Sequence, residues 1–562
     1  MSDRDIVRKT EKLIDDLKSV CSLNGIGNSP SEYKVISQIF LYKYLNDKFI
    51  HEVKRVNKNF NENTTVKEVE QYLNNIEPKE YQLLTMKMNP NVARIQKEYM
   101  ISYLYNNQNV TDPEFYTLFD KALLGISNDN IDIFSVKTGG KEKIRLFDNL
   151  SQYILETDKR NPFFKAIINK LVGFSFEDAF DEKYDFFATI FEYLIKDYNK
   201  DFGKYAEYYT PNSIARIIAK ILAPNPTQNV TLYDPSAGSG TLLLALAHQI
   251  GEENCTIYSQ DISQKSNEFL RLNLILNNLV HSLSNVIHGD TLVNPAHINK
   301  EKNRLEQFDY IVSNPPFKTD FSETRETLSS EKYRERFFAG VPQIPKKDKD
   351  SMPIYLMFIQ HILYSLKDDG KAAIVVPTGF ITAKNGIEKK LLTYLVDNKY
   401  IKGVISMPKN LFATTGTNVS LLIIDKSSEV KDVMMIDASE IGEKVKDGKN
   451  QRTLLSNTDV ELVINSYLNK ELKDDFSVLV PYEKIMSNNY SLNPGQYFEY
   501  KIDIKELSDS EFNSQMDTYI SNLNNMFSSS HEIEKNIIEL IKDLKIWFLM
   551  KQNIIPHGIQ KN

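Results

Sequence analysis

Short runs of β-forming residues alternate with helix-length segments between residues 228 and 440, and this alternation is the feature that most constrains the fold. The runs, in chain order, are NVTLYDP, CTIYSQD, NVIHGD, FDYIVSNPP, GKAAIVVP, IKGVISMP and NVSLLIID. Strands separated by helical segments are typical of a mainly parallel sheet with helices on both faces. The sequence therefore predicts a doubly wound α/β sheet in this part of the chain.

Helical patterns flank this sheet on both sides. Apolar residues recur at helical spacing, strand signals are scarce over residues 1–170, and the chain is again helical in pattern from about residue 500. We therefore expect a helical N-terminal domain (1–170), an α/β domain (171–500) and a C-terminal helical segment (501–562). The polar stretch 318–350 lies inside the α/β domain, and a loop of that length is usually functional or mobile.

Composition excludes several classes of protein. The net charge of −7 and the pI near 5.8 differ from the basic balance of a protein that grips DNA unaided. Cys21 and Cys255 have neither the spacing of metal ligands nor the density of a disulfide scaffold, which indicates a reducing compartment. The chain has no signal-peptide core and no apolar run of about 18 residues. We expect a cytoplasmic protein with no membrane segment and no metal site.

Residues 231–250 have the pattern of a strand, a glycine loop and a helix. Gly238 and Gly240 would let the backbone approach a ligand closely, although a tight turn with no ligand also fits these letters. A dinucleotide is disfavoured, because Leu243 stands where the third glycine of its fingerprint belongs and Asp234 would repel a pyrophosphate. A carboxylate at Asp234 instead suits a ligand with a cationic group, such as the ammonium of an amino acid.

Two further acids follow the next two predicted strands. Asp261 lies 21 residues after Gly240, where an acid can accept hydrogen bonds from ribose hydroxyls, and Asp290 could reach an adenine amino group. Each acid alone is better explained as a solvated loop residue or a helix cap than as a ligand-binding residue. Three acids with no basic partner together indicate S-adenosylmethionine, which carries ribose, adenine and a sulfonium but no phosphate.

The strand FDYIVS ends in Asn314, Pro315, Pro316 and Phe317. A strand stopped by a proline turn is the simplest explanation. The same residues could also hold a planar base: the Asn314 amide oxygen and the Pro315 carbonyl can accept both protons of an exocyclic amine, and Phe317 offers a face for stacking. An amine held in this way directs its lone pair at an electrophile, so alignment and charge complementarity could carry most of the catalysis.

With these residues in view, the sequence resembles the modification (methyltransferase) subunits of type I restriction–modification systems, which are DNA adenine methyltransferases. The resembling segments are EYYTPNSIARIIAKIL (207–222), DPSAGSGTLL (234–243), YSQDI (258–262), HGDTL (288–292), SNPPF (313–317), GKAAIVVPTGF (370–380) and MPKNLFATTGTNVSLLII (407–424), in the family's order. The resemblance implies a Rossmann-like methyltransferase sheet that uses S-adenosylmethionine, with a helical N-terminal domain and C-terminal helices.

The resemblance also implies roles for individual residues. The methionine end of the cofactor would be lined by Glu207, Tyr208, Tyr209, Thr210, Pro211 and Asn212, and the loop around it would be formed by Asp234, Ser236, Gly238, Ser239, Gly240 and Thr241. Asp261 would hold the ribose and Asp290 the adenine, with Ile262 and Thr291 beside them, and Asn314, Pro315, Pro316 and Phe317 would hold the target adenine.

The chain departs from the family's pattern at two places. It has SAGSG where the family commonly has Ala-Cys-Gly-Thr-Gly, and Asp261 where the family has Glu, so the ribose contact is the one these changes affect. The letters around Thr210 are also typical of a helix start, with Thr210 as the cap and Pro211 as the first helical residue.

Partners follow from the resemblance too. Such subunits methylate duplex DNA at a sequence chosen by a specificity subunit, typically as two methylase subunits per specificity subunit, and a restriction subunit could join the complex. This arrangement would explain the acidic balance, because a partner supplies much of the grip on DNA. The helices after residue 500 would either dock that partner or pack on their own domain.

Three other functions compete with this interpretation. A stand-alone amino-methyltransferase acting on RNA or on a protein glutamine would also use an Asn-Pro-Pro turn. A non-catalytic assembly platform could keep the fold, although the intact Asn314, Gly238 and Asp261 count against it. A nicotinamide-dependent enzyme is disfavoured by Asp234 and Leu243.

Overall fold

A computed structural model describes residues 3–27, 29–138, 143–180, 186, 189–190, 193–194, 210–412, 418–427, 430–447, 450–498 and 508–552. Residues 1–498 form one compact unit and residues 499–562 form a second. No helix in the described ranges is both long and apolar enough to cross a membrane. The boundary expected near residue 170 stays a prediction.

The strands of the described residues are β1 (Val136–Thr138), β2 (Lys143–Ile144), β3 (Val230–Asp234), β4 (Cys255–Asp261), β5 (Val286–His288), β6 (Ile298–Asn299), β7 (Arg304–Leu305), β8 (Phe308–Ser313), β9 (Leu366–Pro377), β10 (Ile401–Ser406), β11 (Val419–Asp425), β12 (Asp432–Asp437), β13 (Glu443–Asp447), β14 (Asn450–Leu454) and β15 (Ser477–Pro481). The α-helices are Asp3–Leu23, Pro30–Val56, Val66–Asn75, Pro78–Lys87, Ile101–Asn106, Phe115–Asp129, Ile131–Phe134, Thr157–Val172, Asn212–Leu222, Thr241–Ile250, Gln264–Leu276, Arg325–Leu328, Tyr355–Ser365, Thr378–Ile381, Gly386–Asp397, Asn457–Leu468, Tyr482–Ser487 and Asp509–Gln552.

One large sheet organises the first unit. Its strand order is β15-β12-β10-β11-β9-β8-β3-β4-β5-β1-β2. Strands β5, β4, β3, β8 and β9 run parallel, whereas β11 runs antiparallel to both β9 and β10. The predicted doubly wound α/β sheet is confirmed.

The order of the strands reverses at β3. The chain passes from β3 to β4 and β5 on one side, and then returns to place β8 on the other side of β3. Ligands of open α/β sheets bind in the crevice at such a reversal, beyond the carboxyl ends of the strands. Asp234 ends β3, and Asn314 directly follows β8, so the reversal brings these two predicted residues to the same crevice.

Burial on both faces explains the apolar run from Tyr310 to Val312 in β8. Phe308 and Ile311 pack into a cluster of buried side chains on one face, and Tyr310 and Val312 pack into another cluster on the opposite face. A strand covered on both faces has no polar side to show in its sequence. The same holds for β11, in which every residue from Val419 to Ile424 is buried.

The N-terminal helical region contributes two strands to the sheet, which the sequence did not predict. Strand β1 pairs in parallel with β5, and β2 pairs antiparallel with β1. Arg271, buried on the helix Gln264–Leu276, donates from Nε to the carbonyl of Phe134 at 2.9 Å, from Nη1 to that of Arg145 at 2.7 Å and from Nη2 to that of Ile144 at 3.2 Å. These carbonyls flank β1 and β2, so one side chain fastens both strands to the α/β sheet.

We expect Arg271→Met to lower the free energy of unfolding by about 3 kcal/mol, because it leaves several buried carbonyls without a donor. Guanidinium denaturation would measure the loss, and hydrogen exchange should quicken at the amides of Val136–Thr138. The matched control is Arg160→Met, which removes one bond of 3.0 Å to the Ile154 carbonyl and does not touch β1. Unchanged exchange in β1 of the Arg271 variant would contradict this role.

Candidate active site

The glycine loop between β3 and the helix Thr241–Ile250 has a backbone that requires glycine. Gly238 and Gly240 have φ angles of 53° and 83°, in the left-handed region that side chains disfavour. A Cβ atom on Gly240 would also lie 2.2 Å from Cδ1 of Leu270. The loop is therefore held close to the helix Gln264–Leu276, and the N-terminus of the next helix is left open toward the crevice.

Asp234 is buried at the end of β3 and is electrostatically unfavourable there. It accepts a hydrogen bond from the Ser236 backbone N–H at 2.9 Å. Burial, with the nearby negative charge of Asp261 as a smaller cause, raises the pKa of Asp234 to about 7. The site thus carries a carboxylate that a bound cation would stabilise.

Asp261, at the end of β4, supports the glycine loop directly. Its Oδ2 accepts from the backbone N–H of Gly238 at 2.9 Å, and its Oδ1 accepts from that of Ser263 at 2.8 Å. Burial raises the pKa of Asp261 despite these two donors. The neighbouring Ile262 has an exposed side chain. The loop contact was not predicted, and the ribose contacts of Asp261 and Ile262 stay predictions.

Asp290 and Thr291 follow β5, the third strand in this part of the sheet. Oδ1 of Asp290 accepts from the backbone N–H groups of Leu292 at 2.8 Å and Val293 at 3.1 Å, which leaves Oδ2 for another donor. Thr291 is buried and donates from Oγ1 to the Pro235 carbonyl at 2.7 Å. The turn predicted to bind adenine and the glycine loop are therefore joined by the side chain of Thr291.

Asn314 is buried at the end of β8, and its amide is fixed by Thr210. Nδ2 of Asn314 donates to Oγ1 of Thr210 at 3.1 Å. Because the amide nitrogen is used in this way, Oδ1 is the atom left to accept from a ligand. Thr210, predicted only to line the methionine end of the cofactor, thus also orients the predicted catalytic amide.

The helix after Thr210 starts one residue later than the sequence indicated. Pro211 occupies the N-cap position, the helix begins at Asn212, and no side chain caps it. The alternative assignment of Thr210 as the cap and Pro211 as the first helical residue is therefore wrong. The Thr210 hydroxyl is free of a capping role because it accepts from Asn314 instead. Glu207, Tyr208 and Tyr209 lie outside the described residues.

One cavity brings the two halves of the predicted site together. Its lining residues are Thr210, Asp234, Ser236, Ala237, Ser239, Thr241, Leu242 and Asn314. Two pairs of hydroxyls hold its walls in place: Oγ of Ser236 lies 2.7 Å from Oγ of Ser313, and Oγ of Ser239 lies 3.1 Å from Oγ1 of Thr241. The glycine loop of β3 and the Asn-Pro-Pro turn of β8 thus share a single polar cavity.

Two supporting residues were missed from the sequence. Ser313 joins β8 to the glycine loop and immediately precedes Asn314, so its position could have indicated it. Asn273 donates from Nδ2 to the Ser239 carbonyl at 2.9 Å and is buried within a helix. No local pattern distinguishes it from a residue that only packs.

An aromatic row stands behind the Asn-Pro-Pro turn. Pro315 is buried, and Phe317 is half-buried with its ring edge-on to Tyr355 at a centroid distance of 6.3 Å. Tyr355 in turn meets Phe380 edge-on at 6.1 Å. The ring of Phe317 is therefore supported from the core and keeps part of its surface accessible, as a stacking platform requires.

The stretch after Phe317 is a packed subdomain and not an extended loop. The Thr319 N–H donates to the Met352 carbonyl at 3.1 Å and closes its base. Its side chains Phe321, Leu328, Phe337 and Met352 are buried in one apolar cluster with Leu292, Ile354, Met357 and Phe358, which lie outside it. We name residues 318–352 the insert.

No group of three or more His, Cys, Asp or Glu residues in the described ranges is arranged to hold a metal ion. Among the described residues that line the cavity, Asp234 is the one charged side chain, and burial raises its pKa; the other polar groups are hydroxyls and one amide. Such a cavity can hold a cation and position an amine, and it offers hydrogen-bond acceptors in preference to donors.

We expect a carboxyl NMR titration to give Asp234 a pKa near 7, well above the usual value near 4. Asp261→Asn should lower that pKa, because it removes a neighbouring negative charge. Asp309 is the internal control: although burial raises its pKa, hydrogen bonds from Lys367 and Thr231 hold that pKa below its usual value. An Asp234 pKa near 4 in the wild-type protein would contradict this description.

Comparisons with known proteins give the family of this chain. A family model described as N-6 DNA Methylase matches residues 182–506. The type I restriction enzyme MpnII methylase subunit of Mycoplasma pneumoniae is 29% identical over 392 residues, which are 68% of this chain and 68% of that protein. The MjaIX methylase subunit of Methanocaldococcus jannaschii is 23% identical over 417 residues, which are 71% of this chain and 70% of that protein.

A solved structure shows the same fold. The methyltransferase subunit of a type I restriction–modification system from Streptococcus thermophilus superposes with a TM-score of 0.68 at 22% sequence identity. The superposition covers 89% of this chain and 100% of that one.

Proposed function

The chain belongs to the N-6 DNA methylase family, and we propose that it is the methylase subunit of a type I restriction–modification system. It transfers a methyl group from S-adenosylmethionine to N6 of adenine in duplex DNA, at a sequence chosen by a specificity subunit, and so protects host DNA in the cytoplasm. The observation that carries this proposal is the single cavity shared by Asp234 and Asn314.

The residues of the cavity fit S-adenosylmethionine. Buried Asp234, whose pKa burial raises, suits the ammonium of the methionine part, and Asp261 and Asp290 follow on the adjacent strands for ribose and adenine. The described residues of the lining include no lysine or arginine for a phosphate, which this cofactor does not carry. When bound, the cofactor supplies a methyl group on a sulfonium, which is a good electrophile.

The Asn-Pro-Pro turn prepares the target amine. Oδ1 of Asn314 accepts one amine proton and the carbonyl of Pro315 accepts the other, while Thr210 keeps the amide from rotating. Two acceptors on one amine pull its lone pair out of the ring and direct it across the cavity. Positioning of this kind can supply several kcal/mol of rate enhancement without a strong general base.

Phe317 captures the base that leaves the duplex. Flipping an adenine costs a few kcal/mol, and stacking on an aromatic ring returns about 1–3 kcal/mol. The support of the Phe317 ring by Tyr355 keeps it in one orientation for that contact.

A stand-alone enzyme for RNA or for a protein glutamine is not favoured. The family model describes DNA methylases, and the curated relatives above are methylase subunits of type I restriction enzymes. A non-catalytic platform is disfavoured because the amide of Asn314 is held with its acceptor available toward the cavity.

The decisive test is co-expression with the proposed specificity subunit, followed by sequencing of methylated adenine. We expect N6-methyladenine at one sequence motif with the wild-type chain. Wild-type protein that binds its partner and DNA but leaves adenine unmethylated would overturn the proposal.

Asn314→Ala should lower methyl transfer by about 100-fold or more while cofactor affinity changes little, because it removes an acceptor for the amine. Calorimetry with S-adenosylhomocysteine measures the affinity. Asn398→Ala, which removes a surface amide bonded to the Tyr394 carbonyl, is the matched control and should keep both the rate of methyl transfer and the cofactor affinity. Loss of cofactor binding in Asn314→Ala would show that its role is misassigned.

The C-terminal helix Asp509–Gln552 carries a seven-residue repeat that is typical of a partner-binding helix. Alternating steps of three and four residues connect its exposed apolar side chains Phe512, Met516, Tyr519, Leu523, Met526, Ile533, Ile537, Leu540 and Leu544. Ser530 is the one polar residue in this series between Phe512 and Leu544. A strict seven-residue repeat favours packing against another helix in a left-handed supercoil. We therefore propose that this stripe binds the specificity subunit. The complex would contain two methylase subunits per specificity subunit, and a restriction subunit would join that core.

Leu523→Asp and Ile537→Asp should each weaken association with the specificity subunit at least tenfold, because a charge replaces a buried apolar contact. Asn524→Asp is the matched control, since it adds the same charge outside the stripe. Mass photometry of the co-purified subunits gives both stoichiometry and affinity. Wild-type assembly by both stripe variants would exclude this surface.

A further inference from the structure

Arg336, in the insert, is buried against the turn that carries Asp290. It is 4% exposed, and its Nη2 donates to the backbone carbonyl of Leu292. Its guanidinium also lies over the rings of Phe337 at 4.3 Å and Tyr333 at 4.8 Å. An arginine of the insert, which follows the Asn-Pro-Pro turn, thus contacts the turn predicted to bind adenine.

A second bond from the insert reaches the next residue of the same turn. The Tyr333 hydroxyl donates to the Val293 carbonyl at 2.8 Å. The backbone N–H groups of Leu292 and Val293 are the two donors that hold Oδ1 of Asp290. Arg336 therefore holds the peptide unit between Leu292 and Val293, whose N–H donates to Asp290, and Tyr333 holds the peptide unit that follows it.

The other side of the turn is fixed to the sheet. Gln260, buried at the end of β4, donates from Nε2 to the Asn294 carbonyl at 2.8 Å and accepts from the Ala296 N–H at 2.9 Å. With Thr291 bonded to Pro235, the sheet side is rigid. On the other side, the Leu292 side chain packs in the apolar cluster that it shares with the insert. A movement of the insert would therefore change the contacts of Leu292 and Val293.

Burying the guanidinium of Arg336 costs more free energy than one hydrogen bond to a carbonyl returns. Among the described residues, its Nε and Nη1 have no hydrogen-bond partner, and burial lowers the pKa of Arg336 to about 10. The carboxylate of Asp290 offsets part of this effect of burial. A buried guanidinium with unsatisfied donors contributes little to stability, so the geometry that Arg336 gives to the turn explains its position better than the free energy of folding does.

We propose that Arg336 is a positioning residue that couples the cofactor site to the target-base site through Leu292 and Asp290. A ligand bound at the turn that carries Asp290 restricts the motion of Leu292 and Val293. Arg336 and Tyr333 transmit that restriction to the insert, and the insert holds the chain that follows Phe317. Cofactor binding thereby prepares the base-binding turn, and by reciprocity a bound base tightens the cofactor site. This inference rests on the proposed function.

The test uses the full chain, S-adenosylhomocysteine as the probe, calorimetry and hydrogen exchange. In the wild-type protein the probe should slow exchange in residues 290–296 and also in the insert. Arg336→Met should raise the Kd for the probe about tenfold and remove the protection of the insert. Its melting temperature should change little, because the buried charge is lost together with the hydrogen bond.

Two further variants separate positioning from simple packing. Tyr333→Phe removes one hydroxyl with little change of volume, and it should shift Kd and protection in the same direction by a smaller factor. Arg325→Met is the matched control, because Arg325 donates to the Pro342 carbonyl at 2.8 Å inside the insert and does not touch the turn. It should behave like the wild-type protein in both measurements.

The outcomes distinguish this inference from the proposed function. If Arg336→Met and Arg325→Met give the same Kd and the same protection of the insert, the coupling is refuted, while adenine methylation by the wild-type chain still stands. If the wild-type chain binds neither S-adenosylhomocysteine nor sinefungin, the proposed function and the coupling both fail. A drop in melting temperature with unchanged protection would assign Arg336 to stability alone.

Discussion

The pairing of β3 with β4 on one side and β8 on the other is the constraint on which the rest of the site depends. Parallel strands present their carboxyl ends at one edge, so Asp234, Asp261 and Asn314 are neighbours there although up to 80 residues separate them in the chain. The reversal of strand order leaves a gap in the covering helices at that edge. Residues of the glycine loop and Asn314 line one cavity there, which is where the proposed cofactor and target base would meet.

The electrostatics of the cavity set a second condition. Burying the carboxylate of Asp234 next to Asp261 costs free energy in the free protein, and the raised pKa is the sign of that cost. A protein selected for stability alone would place an uncharged residue there. Such groups concentrate at functional sites because a ligand with the opposite charge removes the penalty when it binds.

Much of the fold and the site could be predicted because their signals are local. The alternation of strands and helices predicted the sheet. The positions of Asp234, Asp261 and Asp290 at or just after predicted strand ends placed them at one edge of it. Contacts between distant segments could not be predicted: the bond from Asn314 to Thr210 joins residues 104 positions apart, and neither letter indicates it. Strand β2 is too short to show any periodicity. The buried side chains of the insert are spaced irregularly, so a packed subdomain looked like a polar loop.

Strand β1 has a consequence for how this protein can change over time. Because the N-terminal region lends strands to the catalytic sheet and is fastened there by Arg271, the two regions cannot be exchanged as separate modules. In a chimaera that joined this N-terminal region to another methylase sheet, the strand equivalent to β5 would need a free edge. The new sheet would also need an arginine that reaches the carbonyls of Phe134, Ile144 and Arg145. Recombination between relatives should therefore preserve residues 131–288 as one block, whatever it exchanges on either side.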